Sequence, residues 1–196
     1  MSIQPRPYLT RQEYLVRERQ SEVRHEYFAG EVFAMVGASR NHNQICFNIS
    51  IEIGQQIKAR KCVAYANDMR VRVDQTGLYT YPDLVITCEE PVFEDDKQDT
   101  LMNPQVIIEV LSESTEKYDR GKKFQNYRQL ESLREYVLVS QEEPVIECYV
   151  RQPGGEWLLK STEGLDATVE LGTVGCHLPM AEVFAKVNFE GPIQED

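Results

Sequence analysis

A chain of 196 residues, 41% hydrophobic and 27% charged, suits one globular domain with a single buried core. No stretch approaches the roughly 18 apolar residues of a membrane span, and residues 1–6 lack the apolar run of a signal peptide, so a cytoplasmic protein with no membrane partner is expected. The net charge of −11 argues against a simple basic nucleic-acid binder, because DNA affinity usually rests on Lys and Arg neutralising phosphates.

In chain order, Thr10 and Glu13 have capping-box spacing, and Leu9 with Tyr14 can form a hydrophobic staple, which predicts a short helix over 11–20. Two aromatic and β-branched runs over 25–35 flank Ala29-Gly30 and predict a hairpin. Residues 41–60 alternate like a strand at Phe47, Ile49, Ile51 and Ile53. However, Ile45, Ile49, Ile53 and Ile57 recur every four residues and the run is long, so a helix is predicted. Strand-like runs follow at 62–73, 79–88 and 105–111, the last two joined by an acidic stretch, 89–99, that reads as a solvated loop. Phe124, Tyr127 and Leu130 mark a helix over 119–133, with Asp119 as its N-cap. Strands at 135–140, 145–151 and 156–161 close the pattern, with a turn at Pro153-Gly154-Gly155 and little signal beyond Pro179. Strands flanked by helices make a mixed α/β layer structure.

The five cysteines, Cys46, Cys62, Cys88, Cys148 and Cys176, are odd in number and form no CxxC pair. They are expected to be reduced, semi-buried small hydrophobes, with no disulfide framework and no structural zinc site. Asp68 is expected to pair with Arg70 or Arg72.

Two carboxylates carry the chemistry. Asp83 follows Pro82 at the start of a strand, where a plain turn is the bland alternative. Glu109 is the only charge in an apolar run, sharing a strand face with Ile107 and Leu111. A carboxylate there is costly unless paired or metal-bound. If the two strands pair antiparallel, Asp83 and Glu109 lie on neighbouring strands and can hold one Mg²⁺ or Mn²⁺. Such an ion polarises a scissile phosphate and lowers the pKa of a bound water. Glu31 either extends this carboxylate group or is a solvated hairpin charge. His42 is either a ligand or base, or a surface or capping residue.

An ordered set of short motifs sharpens the picture. It comprises Tyr27, Gly30-Glu31, Met35, Asn41-His42-Asn43, Pro82-Asp83, Ile108-Glu109-Val110-Leu111-Ser112, Ser114-Thr115, Asp119, Lys123, Tyr127 and Glu135-Tyr136. The pattern resembles the Uma family of restriction-endonuclease-like proteins, a PD-(D/E)XK group abundant in cyanobacteria, over about residues 10–184. The resemblance implies a restriction-endonuclease-like αβββαβ core in one domain, with Asp83 and Glu109 as the motif's two acids. It implies a Mg²⁺- or Mn²⁺-dependent endonuclease acting on DNA as a homodimer. The motif's lysine position, two residues after Glu109, is Leu111 here, and the resemblance moves the catalytic lysine to Lys123 on the next helix. The alternative is an interaction or regulatory protein that keeps the nuclease fold without its chemistry.

Overall fold

The computed structural model of the chain describes residues 8–35 and 37–189; residues 1–6, read above for a signal segment, lie outside that span. Helix α1 (Arg11–Glu18) opens on the expected capping box, with Thr10 Oγ1 accepting from the Glu13 N–H and Glu13 Oε2 accepting from the Thr10 N–H at 2.8 Å. It stops before residue 20. Its Tyr14 and Leu15 pack on Tyr27 and Tyr79, with Leu9 alongside.

The hairpin forms as β1 (His25–Phe28) and β2 (Glu31–Ala34) around Ala29 and Gly30, both at positive φ. Helix α2 (Arg40–Ile57) resolves the ambiguous segment as a helix. Its four spaced isoleucines, 45, 49, 53 and 57, are all buried. Each such side chain contributes about 1.5–3 kcal/mol of burial, which outweighs the β-propensity of the same residues.

Two of the expected long strands are broken instead. The run 62–73 divides into β3 (Val63–Ala66) and β4 (Arg70–Val73), and the run 79–88 into β5 (Leu78–Thr80) and β6 (Leu84–Thr87). At the first break Asn67 and Asp68 adopt positive φ, which short polar side chains tolerate. At the second, Pro82 removes an N–H that a continuing ladder would need. Each break moves the chain from one sheet to another.

The remaining elements are β7 (Thr100–Leu101), β8 (Val106–Val110), α3 (Glu116–Tyr118), a π-helical turn (Asp119–Lys123), α4 (Phe124–Tyr127), β9 (Glu135–Val139), β10 (Val145–Arg151), β11 (Trp157–Glu163), β12 (Thr168–Leu171), β13 (Cys176–Pro179) and α5 (Met180–Val183). One sheet has the order β2-β1-β5-β4-β7, a second β11-β10-β9-β8-β6-β3, and β12 pairs with β13. The six-stranded sheet lies between two cores. Val106, Ile108 and Val110 join the α2 isoleucines on one face, while Ile107 and Leu111 join Val71, Leu78 and Tyr127 on the other. This mixed α/β arrangement agrees with the expected class and adds β12, β13 and α5 to the expected elements.

Several local expectations are corrected. The helix expected over 119–133 begins at Glu116 and ends at Tyr127, and Asp119 is not its N-cap but a buried residue within it. The acidic link is not simply solvated: Glu94 accepts from Arg72 at 2.7 Å and from the Tyr79 hydroxyl at 2.6 Å, and Asp99 accepts from Arg19 at 2.7 Å. Asp68 pairs with Arg24 at 3.3 Å, while Arg70 meets Asp99 and Arg72 meets Asp74 and Glu94. Cys62 and Cys88 are joined in a disulfide, because the β3–β6 register Val63↔Thr87 sets them side by side at the strand ends. Cys46, Cys148 and Cys176 are free.

Candidate active site

Strands β6 and β8 pair antiparallel with Leu84 opposite Ile108, and one further step of that register sets Asp83 beside Glu109. The Val110 N–H donates to Asp83 Oδ2 at 2.7 Å, fixing the carboxylate where the chain passes between sheets. His42, in the first turn of α2, lies with Nε2 at 2.9 Å from Asp83 Oδ1. Its backbone N–H donates to Ser39 Oγ, so the helix cap also fixes the start of the turn that presents the imidazole.

Glu109 is 4% exposed, so its surroundings determine its charge. Lys123 Nζ lies 2.8 Å from Glu109 Oε1, and the Tyr127 hydroxyl donates to the same oxygen at 2.8 Å. Lys123 Nζ also lies 3.2 Å from Asp119 Oδ1 and 3.5 Å from Glu26 Oε1. Glu26 accepts a short hydrogen bond from Thr80 Oγ1. The π-turn carries Asp119 and Lys123 together onto the buried side, a rare helical form often found at functional segments. Lys122 is exposed.

Burial pushes the Glu109 carboxyl up to about 8; Lys123 opposes this, and Asp119 and Asp83 add to it. Burial acts to lower Lys123, but Glu109, Tyr127, Glu26 and Asp119 outweigh it and its net shift is well upward. The same contest holds at His42, where burial pulls down and the Asp83 hydrogen bond and charge prevail. Burial and the Glu109 charge raise Tyr127, so it stays a hydrogen-bond donor.

The carboxylates of Glu26, Asp83, Glu109 and Asp119 thus face Lys123 and His42. Asp119 Oδ1 is buried with no aligned hydrogen-bond donor; its contact with Lys123 is a charge contact alone. The surplus of hard oxygen donors over cations suits Mg²⁺ or Mn²⁺.

The structure therefore brings Asp83, Glu109, Lys123 and His42 together. Glu31 stays outside: it is exposed beside the hairpin turn, opposite Phe28, and takes no part in the contacts just described. The hairpin's contribution is Glu26, which sequence reasoning missed. Strand alternation puts Glu26 on the face opposite buried Tyr27, but nothing local shows that the hairpin lies against the π-turn. The Tyr127 hydroxyl was also missed, since helical spacing marked the ring as core and said nothing of its oxygen. Leu111, at the motif's lysine position, is 4% exposed in the core and leaves the ammonium to Lys123.

Residues 11–181 match the model of the Uma2 family, described as "Putative restriction endonuclease". Two relatives from Synechocystis sp. align over most of their length. Uncharacterized protein sll1609 is 38% identical over 83% of this chain and 92% of its own; uncharacterized protein slr1290 is 33% identical over 94% and 96%. A crystal structure from Anabaena variabilis, titled as a "putative nuclease belonging to DUF820", superposes with a TM-score of 0.74 at 18% identity, covering 90% of this chain and 97% of that one. At that identity the superposition speaks for the fold alone. With residues 11–181 of 196 matched to the family, the chain belongs to the Uma2 family.

Proposed function

We propose that the chain is a Mg²⁺- or Mn²⁺-dependent endonuclease that hydrolyses DNA phosphodiester bonds. The observation that most supports this is Lys123 Nζ at 2.8 Å from Glu109, on the strand beside Asp83, although the motif's usual lysine position is a leucine. Asp83 and Glu109 are the residues to hold the cation. A cation bound there supplies Lewis-acid polarisation of the phosphate and a more acidic water. Lys123, oriented by Asp119 and Glu26, sets a fixed positive charge where negative charge develops in the transition state. His42 holds Asp83 in place through Oδ1, leaving the carboxylate little freedom to rotate. A domain with one such site cuts both strands most simply as a twofold dimer.

The test is nicking of supercoiled DNA with Mg²⁺ or Mn²⁺, with and without chelator. Cation-dependent nicking that is lost in Asp83→Asn is expected. Cleavage that survives chelator, or survives in Asp83→Asn, overturns the proposal. The net charge of −11 favours a second reading, an interaction or regulatory protein on the same fold. Calorimetric titration with Mn²⁺ separates the two, since only the nuclease requires a metal at Asp83 and Glu109.

A further inference from the structure

Cys46 lies one helical turn after His42 on α2, so the two side chains share a face. His42 Nε2, Cys46 Sγ and an Asp83 carboxylate oxygen all lie within 4.8 Å of one another. Two ligand residues at i and i+4 on a helix are a recurrent zinc-holding pair. A third ligand from another element completes the usual three-residue set, with water in the fourth position. None of the three is fully exposed, so the set is held by the packing of α2 on the sheet. Cys46 is half-buried and packs against the apolar core, but its sulfur also has an imidazole and a carboxylate for neighbours.

We propose that His42, Cys46 and Asp83 form a binding site for a thiophilic divalent cation of the Zn²⁺ class, which takes Asp83 away from the hard cation. On binding, Cys46 loses its thiol proton to solvent and binds as thiolate. His42 binds through Nε2, its remaining proton on Nδ1. Asp83 exchanges its contact with the imidazole for one with the ion. No electron is transferred; Cys46 releases one proton per ion bound, and His42 a second wherever its imidazole is charged. Sulfur and imidazole prefer Zn²⁺ to Mg²⁺, whereas Asp83 with Glu109 prefers Mg²⁺. Both sets need Asp83, and two dications sharing it would lie close enough to repel, so Zn²⁺ competes with the hard cation and inhibits cleavage. That inhibitory consequence rests on the proposed nuclease function, whereas the ion binding does not.

Co²⁺ titrated into the metal-free full chain reads the site directly, because a cobalt–thiolate bond gives a near-ultraviolet charge-transfer band. The expected result is a band saturating at one Co²⁺ per chain. It is lost in Cys46→Ser, kept in Cys148→Ser, erased by equimolar Zn²⁺ and little changed by excess Mg²⁺. If Cys46→Ser fails to fold, His42→Gln answers in its place by losing or strongly weakening the band. A wild-type protein without the band, or a band that persists in Cys46→Ser, overturns the inference and leaves Cys46 as a thiol hydrogen-bonded in the core. A band without any DNA cleavage keeps the site and removes the nuclease; cleavage without a band does the reverse.

Discussion

Two glutamates sit fully enclosed on neighbouring parallel strands, Glu109 near the end of β8 and Glu135 at the start of β9. Their exposures are 4% and 2%, and burial raises both carboxyls. Their partners differ. Glu109 faces an ammonium, a phenol and two further carboxylates. Glu135 accepts the Thr173 N–H at 3.0 Å through Oε1, while Oε2 is buried without a partner. Equal burial therefore says little about role. A carboxylate tied to a backbone amide anchors a loop, and one set among movable charges can exchange them for an ion.

If that contrast is right, substitutions at the two ends separate by readout. The largest effect is expected from Asp83→Asn and Glu109→Gln, each of which abolishes metal-dependent cleavage while the chain still melts cooperatively. Nicking assays with a melting curve on the same sample check both halves. Lys123→Ala comes next, with a cleavage loss of about a hundredfold or more, as for one lost electrostatic stabiliser. Its side chain is 7% exposed and touches three carboxylates, so stability should also fall, by roughly 3–5 kcal/mol, as when a buried pair loses one member. Lys122→Ala, at an exposed position, should cost neither; loss of cleavage there would show that the helix presents the other lysine.

At the other end, Glu135→Ala should leave cleavage intact and cost about 1–3 kcal/mol, by stranding the Thr173 N–H. Its pH signature has a definite sign. A carboxyl with a folded pKa above its ordinary 4.5 stabilises the fold fully below that value, and loses this contribution as pH rises through the folded value. Urea midpoints should therefore show the wild type gaining on Glu135→Gln as pH is lowered. A constant difference across the acid range would mean that the two states hold the proton equally. The smallest loss, apart from the silent Lys122→Ala, belongs to a site outside the contrast: Thr10→Ala should cost about 1 kcal/mol through the lost α1 cap, with cleavage unchanged.

How far the sequence foretold all this depends on the range of the interaction. The capping box and the Ile45-Ile49-Ile53-Ile57 stripe are local signals, and they predicted their elements. Glu109 stood out because one charge in an apolar strand demands a partner. The break at Asn67-Asp68 stayed hidden, and Pro82 showed only as a candidate turn, because the flanks are good strand formers and only tertiary pairing decides that they join different sheets. The π-turn has no composition of its own. Glu26 enters the site through the docking of a hairpin about a hundred positions away from Lys123, which no local pattern encodes.

The crossing at Pro82 bears on how the molecule breathes. Thr80 and Glu26 belong to one sheet, Glu109 to the other, Asp83 to the joint between them, and Lys123 to the turn laid over both. The charge cluster thus draws on both sheets, with Glu26 contributed by the first and Glu109 by the second. Any opening fluctuation that parts the sheets takes Glu26 from it, even while each ladder keeps its own hydrogen bonds. Amide exchange at Val110, whose N–H is held by the Asp83 side chain, reports release of that joint from β8, whereas exchange at Ile107 reports unravelling of the sheet itself. An ion that bridges Asp83 and Glu109 would pin the end of the joint to β8 and slow the first process far more than the second.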